Sequence, residues 1–163
     1  MDTAKKIVML DDLVNRLGKI RKSGRKIVFT NGCFDIIHVG HVRYLAEARS
    51  QGDMLIVGLN SDGSMRTIKG EKRPIVCQDH RAEVLASLAC VDYVVLFEGP
   101  DPLRLIQTIK PDVLVKGADW AADAIVGADD VKSRGGKIVR ISFIEETSTT
   151  GIIQTILQRY QGD

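Results

Sequence analysis

Five short apolar runs with a β-branched bias constrain this chain more than any other feature. They lie at 26–30 (KIVFT), 54–59 (MLIVGL), 93–97 (YVVLF), 112–117 (DVLVKG) and 137–141 (KIVRI). Each is nearly continuous rather than alternating, as expected of strands covered on both faces. Helical patterns fill the intervals. Val42, Leu45, Ala46 and Arg49 fall at helical spacing over 41–50, and Asp79 is placed to cap a helix over 79–88. Asp101 precedes Pro102, which predicts a cap followed by proline at the first helical position. The segments 123–134 and 149–160 also read as helices, and an additional N-terminal helix covers roughly 10–22.

Alternation of strand and helix with short links predicts an α/β protein, a doubly wound, five-stranded parallel sheet with helices on both faces; we read it as Rossmann-like, in the order 3-2-1-4-5. At 163 residues one domain is expected, residues 1–25 forming a helical extension and 26–163 the core. The one long connection, 61–78, is polar and basic and reads as a functional loop. A net charge of +2 and an aromatic content of 5% argue against a nucleic-acid partner. Apolar runs this short do not span a membrane, and three irregularly spaced cysteines make no disulfide framework, so a cytoplasmic location is expected.

Sheets of this kind bind ligands beyond the carboxyl ends of their strands. After the first run comes Thr30-Asn31-Gly32-Cys33-Phe34-Asp35-Ile36-Ile37-His38-Val39-Gly40-His41, and then a helix. Gly40 would let a phosphate approach the backbone, where free N–H groups at a helix start favour an anion. His38 and His41 can both point there as donors, with Thr30 and Asn31 at the strand end. Read alone, either histidine could instead cap or pack. Neither GxGxxG nor GxxxxGK[ST] is present. Cys33, His38 and His41 lack the further ligands of a structural zinc set, so no metal site is expected. No GxSxG elbow supports a hydrolase.

The His38–His41 element within GCFDIIHVGH resembles the signature of the HIGH-type nucleotidyltransferase superfamily. Further segments narrow the resemblance: NSDGSMRTIKGEKRP (60–74), RAEVLASLACVDYVVLF (81–97), PDVLVKGADW (111–120) and STTGIIQTIL (148–157). Together, from about Lys26 onward, they are similar to the heptose 1-phosphate adenylyltransferases, both single-domain forms and the module fused to a heptose kinase. No kinase half accompanies them, so a stand-alone enzyme is expected. FIEETSTT departs from the arginine-containing stretch of the related cytidylyltransferases, which favours the heptose branch.

The resemblance implies AMP transfer from ATP to D-glycero-β-D-manno-heptose 1-phosphate, with Mg²⁺ accompanying the nucleotide and pyrophosphate leaving. It makes His38, His41 and Lys69 the catalytic set, and adds Thr30, Asn31, Gly32, Phe34, Asp35, Gly40 and Arg73 as substrate contacts. Without it, Lys69, Lys72 and Arg73 read as a solvated charge run. Lys116, Gly117 and Asp119 follow the fourth strand, as ligand contacts or as a turn with an Asx bend. Ser148, Thr149 and Thr150 read as a helix N-cap, to which the resemblance adds phosphate contacts. Arg81 fits a site, interface or surface role. A homodimer acting on ATP and a sugar 1-phosphate is implied. The alternatives are a cytidylyl- or guanylyltransferase acting on another small phosphorylated substrate, and a non-catalytic nucleotide-binding protein.

Overall fold

Every apolar run forms a parallel strand of one sheet: β1 (Ile27–Gly32), β2 (Met54–Asn60), β3 (Tyr93–Phe97), β4 (Val113–Gly117) and β5 (Lys137–Ile141). Their spatial order is β3-β2-β1-β4-β5, the expected 3-2-1-4-5. This computed structural model describes residues 3–118, 121, 124–142 and 147–161. Asp119 lies outside the described residues, as does Trp120.

The continuous hydrophobicity of the inner strands β1, β2 and β4 follows from burial on two faces, whereas the edge strand β5 buries only Ile141 and departs from that expectation. Successive residues of β1 face opposite sides, as the pleat requires. Val28 joins Leu45, Leu55, Val57, Leu85, Val94 and Val115 on one side. Ile27 and Phe29 join Leu13, Leu17, Ile56, Leu105, Ile106, Leu114 and Val131 on the other. The helices α2 (Val39–Arg49) and α4 (Gln78–Ser87) therefore cover the first face. Against the second pack α1 (Leu10–Lys22), α5 (Leu103–Ile109) and α6 (Ala128–Ser133). The remaining helices are α3 (Asp62–Lys69) and α7 (Thr149–Tyr160).

Four local expectations are corrected. The 61–78 connection contains α3, whose start is capped by Ser61 accepting from the Ser64 N–H at 3.1 Å. Helix α4 begins at Gln78 behind Cys77, so Asp79 sits in the first turn, where its charge suits the positive helix end, rather than capping. Pro102 occupies the N-cap position of α5 instead of its first turn, and Asp101 accepts from the Leu103 N–H at 2.9 Å. Helix α6 starts at Ala128, behind a left-handed Gly127 (φ 81°) that no α-helix passes through, and residue 123 lies outside the described residues.

One detail of register opens the site. β1 pairs with β2 along its whole length, from Ile27 to Gly32. With β4 it pairs only at Val28 and Phe29. The carboxyl ends of β1 and β4 thus part at the point where strand order reverses, the place such sheets reserve for ligands. Lys116 of β4 donates across the gap to Asn31 Oδ1 of β1.

Candidate active site

A cavity of 390 Å³ occupies this crevice. Its wall takes Asn31, Gly32, Phe34 and Asp35 from the end of β1, His41 from α2, and Lys69 and Arg73 from α3 and its following turn. Lys116 and Gly117 of β4 and Thr149 and Thr150 of α7 complete the set of expected residues that line it. Residues spread from 31 to 150 in the chain are thereby gathered into one site.

The turn from β1 into α2 is the most specialised backbone in the site. Phe34 holds a left-handed conformation (φ 45°), which costs a non-glycine residue about 1–3 kcal/mol and is characteristic of functional turns. The Phe34 ring meets His41 edge-on, with centroids 5.3 Å apart. His38 occupies the N-cap position of α2 in extended conformation, but its side chain makes no cap bond. Instead its ring stacks on that of His41, with centroids 3.9 Å apart and 29° between the planes. Gly40 permits this: a Cβ there would lie 3.0 Å from the His38 ring.

Burial lowers the pKa of His41 to about 4, with repulsion from His38 adding to the shift and a backbone hydrogen bond at Ile36 opposing it. Burial also lowers His38. Both imidazoles are therefore neutral near pH 7, and among the described residues the buried Nδ1 of His38 has no hydrogen-bond partner. The Cys33 thiol is pushed up by burial despite Lys69, Arg81 and Arg73 nearby, so it is a poor nucleophile.

A second helix start faces the same space. Ser148 caps α7 by accepting from the Gly151 N–H at 3.0 Å, and the Thr149 hydroxyl donates to the Ile36 carbonyl at 3.4 Å. The second bond ties α7 to the histidine turn. Ser148 is thus a cap, as its position predicts, while Thr149 and Thr150 line the cavity. The N-termini of α2 and α7 offer backbone N–H groups without intrahelical partners.

Two expected contacts have structural duties. Thr30 is fully buried behind the wall, where its hydroxyl shares a 2.8 Å hydrogen bond with Tyr44, and it does not line the cavity. Asp35, only 3% exposed, accepts from Arg73 Nε at 2.6 Å and from the Ile75 and Val76 N–H groups at 2.9 Å. It therefore fixes the turn that carries Arg73. Among the described residues no group of three His, Cys, Asp or Glu side chains could hold a metal ion.

Arg81 acquires a definite role that its sequence position does not disclose. It is 1% exposed; its guanidinium donates to the carbonyls of Val76 (2.9 Å) and Cys33 and to Asp62 Oδ1 (2.7 Å). One buried side chain thus joins the β1 turn, α3 and the Arg73 turn. Asn60, Tyr44, Ile68 and Asp101 also line the cavity without having been expected there. Asn60 ends β2, and its place beyond a strand's carboxyl end was the available signal.

The fold and the site define a cytidylyltransferase-like domain, and the chain belongs to the cytidylyltransferase-like family, whose model matches residues 29–156. It is 52% identical over 159 residues to the bifunctional protein HldE of Geobacter metallireducens, covering 98% of this chain and 32% of that protein. It is 55% identical over 152 residues to the bifunctional protein HldE of Campylobacter concisus, covering 93% of this chain and 30% of that one. The chain thus spans about a third of the length of these relatives. Among solved structures it resembles the lipopolysaccharide core biosynthesis protein from Thermoplasma volcanium. That match has a TM-score of 0.62 and 31% identity, and covers 74% of this chain and 99% of the other.

Proposed function

We propose that this protein transfers AMP from ATP to D-glycero-β-D-manno-heptose 1-phosphate, giving ADP-heptose and pyrophosphate. The observation that carries the reading is the stacked, neutral His38–His41 pair at the start of α2, of which His41 lines the cavity together with Lys69 and Arg73 while His38 stands behind it. Such a site is built for phosphate groups. The heptose is supported by the resemblance of the motifs and by the similarity to HldE proteins and to a lipopolysaccharide core biosynthesis protein.

The reaction needs little covalent help. An ionised oxygen of the sugar phosphate attacks the α-phosphorus of ATP in line, the bond to the bridging oxygen breaks, and pyrophosphate leaves with that electron pair. The nucleophile is already an anion, so no general base is required, and catalysis is positioning plus charge stabilisation. In this role His38 and His41 donate to the α-phosphate and the departing pyrophosphate, while Lys69 and Arg73 neutralise the β- and γ-phosphates. Asn31, Gly32, Phe34, Asp35, Gly40 and Lys116 shape or support the pocket, with Gly117, Asp119, Ser148, Thr149 and Thr150 as further nucleotide contacts. Asp35, the buried carboxylate on the wall, is engaged by Arg73 and two backbone N–H groups. The donor set therefore fits Mg²⁺ that arrives on the nucleotide phosphates, where it neutralises charge.

The family match at 29–156 falls within the 26–163 catalytic core, with 1–25 as its extension. A cytoplasmic homodimer that feeds lipopolysaccharide or surface-glycan synthesis completes the reading; no helix among the described residues is long and apolar enough to cross a membrane. The test is pyrophosphate release with ATP, CTP, GTP or UTP, each offered β- or α-heptose 1-phosphate or glycerol 3-phosphate. Release confined to ATP with the β-heptose phosphate is the expected result. Release with another pair moves the enzyme to a sister substrate, and none with any pair, despite ATP binding, contradicts turnover.

A further inference from the structure

Thr147 stands one residue before the Ser148 cap, outside every role assigned above. Its hydroxyl is buried and has no hydrogen-bond partner among the described residues, and His38 Nδ1 is in the same condition. Both atoms border one small space beside Gly40. The point that a Gly40 Cβ would occupy lies 3.0 Å from His38 Nδ1 and 3.4 Å from Thr147 Oγ1. Buried polar atoms are almost always paired, and a lone one is costly. Two that lack partners and share a space are placed to satisfy each other, and the absence of a side chain on Gly40 leaves that space open.

A neutral imidazole carries its proton on one nitrogen only, and the hydrogen bond made by the other nitrogen decides which. For His38 to donate to a phosphate oxygen through Nε2, its Nδ1 must be the acceptor. We propose that Thr147 is a positioning residue for His38: with nucleotide bound, its hydroxyl donates to Nδ1 and holds the ring in the Nε2–H tautomer. This rests on the phosphate-donor role of His38 given above. Serine at 147 retains the hydroxyl, whereas valine retains the shape and removes it.

The tautomer is read directly by long-range proton–nitrogen NMR of histidine-labelled protein at neutral pH, with a non-hydrolysable ATP analogue bound. The wild type is expected to show His38 with a bare Nδ1, Thr147→Val a mixture of tautomers, and Thr147→Ser the wild-type pattern. In parallel, Thr147→Val is expected to lower kcat about 3- to 10-fold, the effect of one neutral hydrogen bond. The KM for the sugar phosphate should change less than twofold, and Thr147→Ser should restore most of the lost rate. An Nδ1–H His38 in the liganded wild type overturns the proposal, and so does a Thr147→Val protein with the wild-type tautomer and kcat. The wild-type spectrum needs no variant, so a misfolded valine protein does not shelter the idea. A wild type that binds the analogue but releases no pyrophosphate overturns the proposed reaction, while its tautomer still decides the role of Thr147. Failure to bind the analogue overturns both.

Discussion

The rings of His38 and His41 lie parallel to within 29°, their centroids 3.9 Å apart. Two imidazoles so close resist carrying two charges, and burial already holds His41 at a pKa of about 4. An anionic ligand reverses that balance by favouring the protonated form.

Nucleotide binding is therefore expected to take up protons. Near pH 6 the free His41 is neutral, and the phosphates of ATP raise its pKa from about 4 toward the working pH. Calorimetric titration in two buffers of different ionisation enthalpy measures the uptake. Heats that do not depend on the buffer contradict it.

The same shift makes stability depend on pH. The unfolded chain has an ordinary histidine pKa of 6.5, above the folded value of about 4 for His41. Between these values the unfolded state binds more protons, so stability rises with pH. The contribution of His41 is complete above pH 6.5 and is lost as pH falls toward 4. Thermal unfolding across this window should show Tm falling with pH more steeply in the wild type than in His41→Gln. Equal slopes would count against a buried neutral His41.

His41→Ala is expected to lower turnover by about 10²–10³, the usual loss for one donor aimed at developing transition-state charge. Steady-state kinetics on a variant with native circular dichroism decide the matter. A folded variant of undiminished turnover would remove His41 from catalysis.

Arg81→Met should destabilise the protein by about 2–4 kcal/mol, because it strands two carbonyls and the Asp62 carboxylate. Arg81→Lys should recover less than half of the loss, since an ammonium cannot reproduce the three-way fork. Urea denaturation reads both, and a change below about 0.5 kcal/mol, as for an ordinary surface substitution, would refute the clamp.

Hydrophobic continuity made the five strands legible, and their alternation with helical segments made a parallel sheet legible, while the strand order is a property of the packed fold. Helix α3 was not legible. Its eight residues bury only Ser64 and Met65, so its apolar stripe is short and lies within a polar, basic stretch that reads as a loop, although Ser61 caps its start. The histidine turn stood out because its residues are contiguous. The work of Arg81 did not, because its partners at 33, 62 and 76 meet only in the fold. Asp35 drew notice for its place in the motif, yet its role depends on a turn 40 residues away.

The central claim, direct transfer of the α-phosphoryl group, is tested most directly by following a label at the α-phosphorus of ATP. With β-heptose 1-phosphate and Mg²⁺ present, the label should appear in the nucleotide sugar, and the pyrophosphate released should carry none. Label recovered only in ADP or free AMP, with no nucleotide sugar formed, would contradict the account.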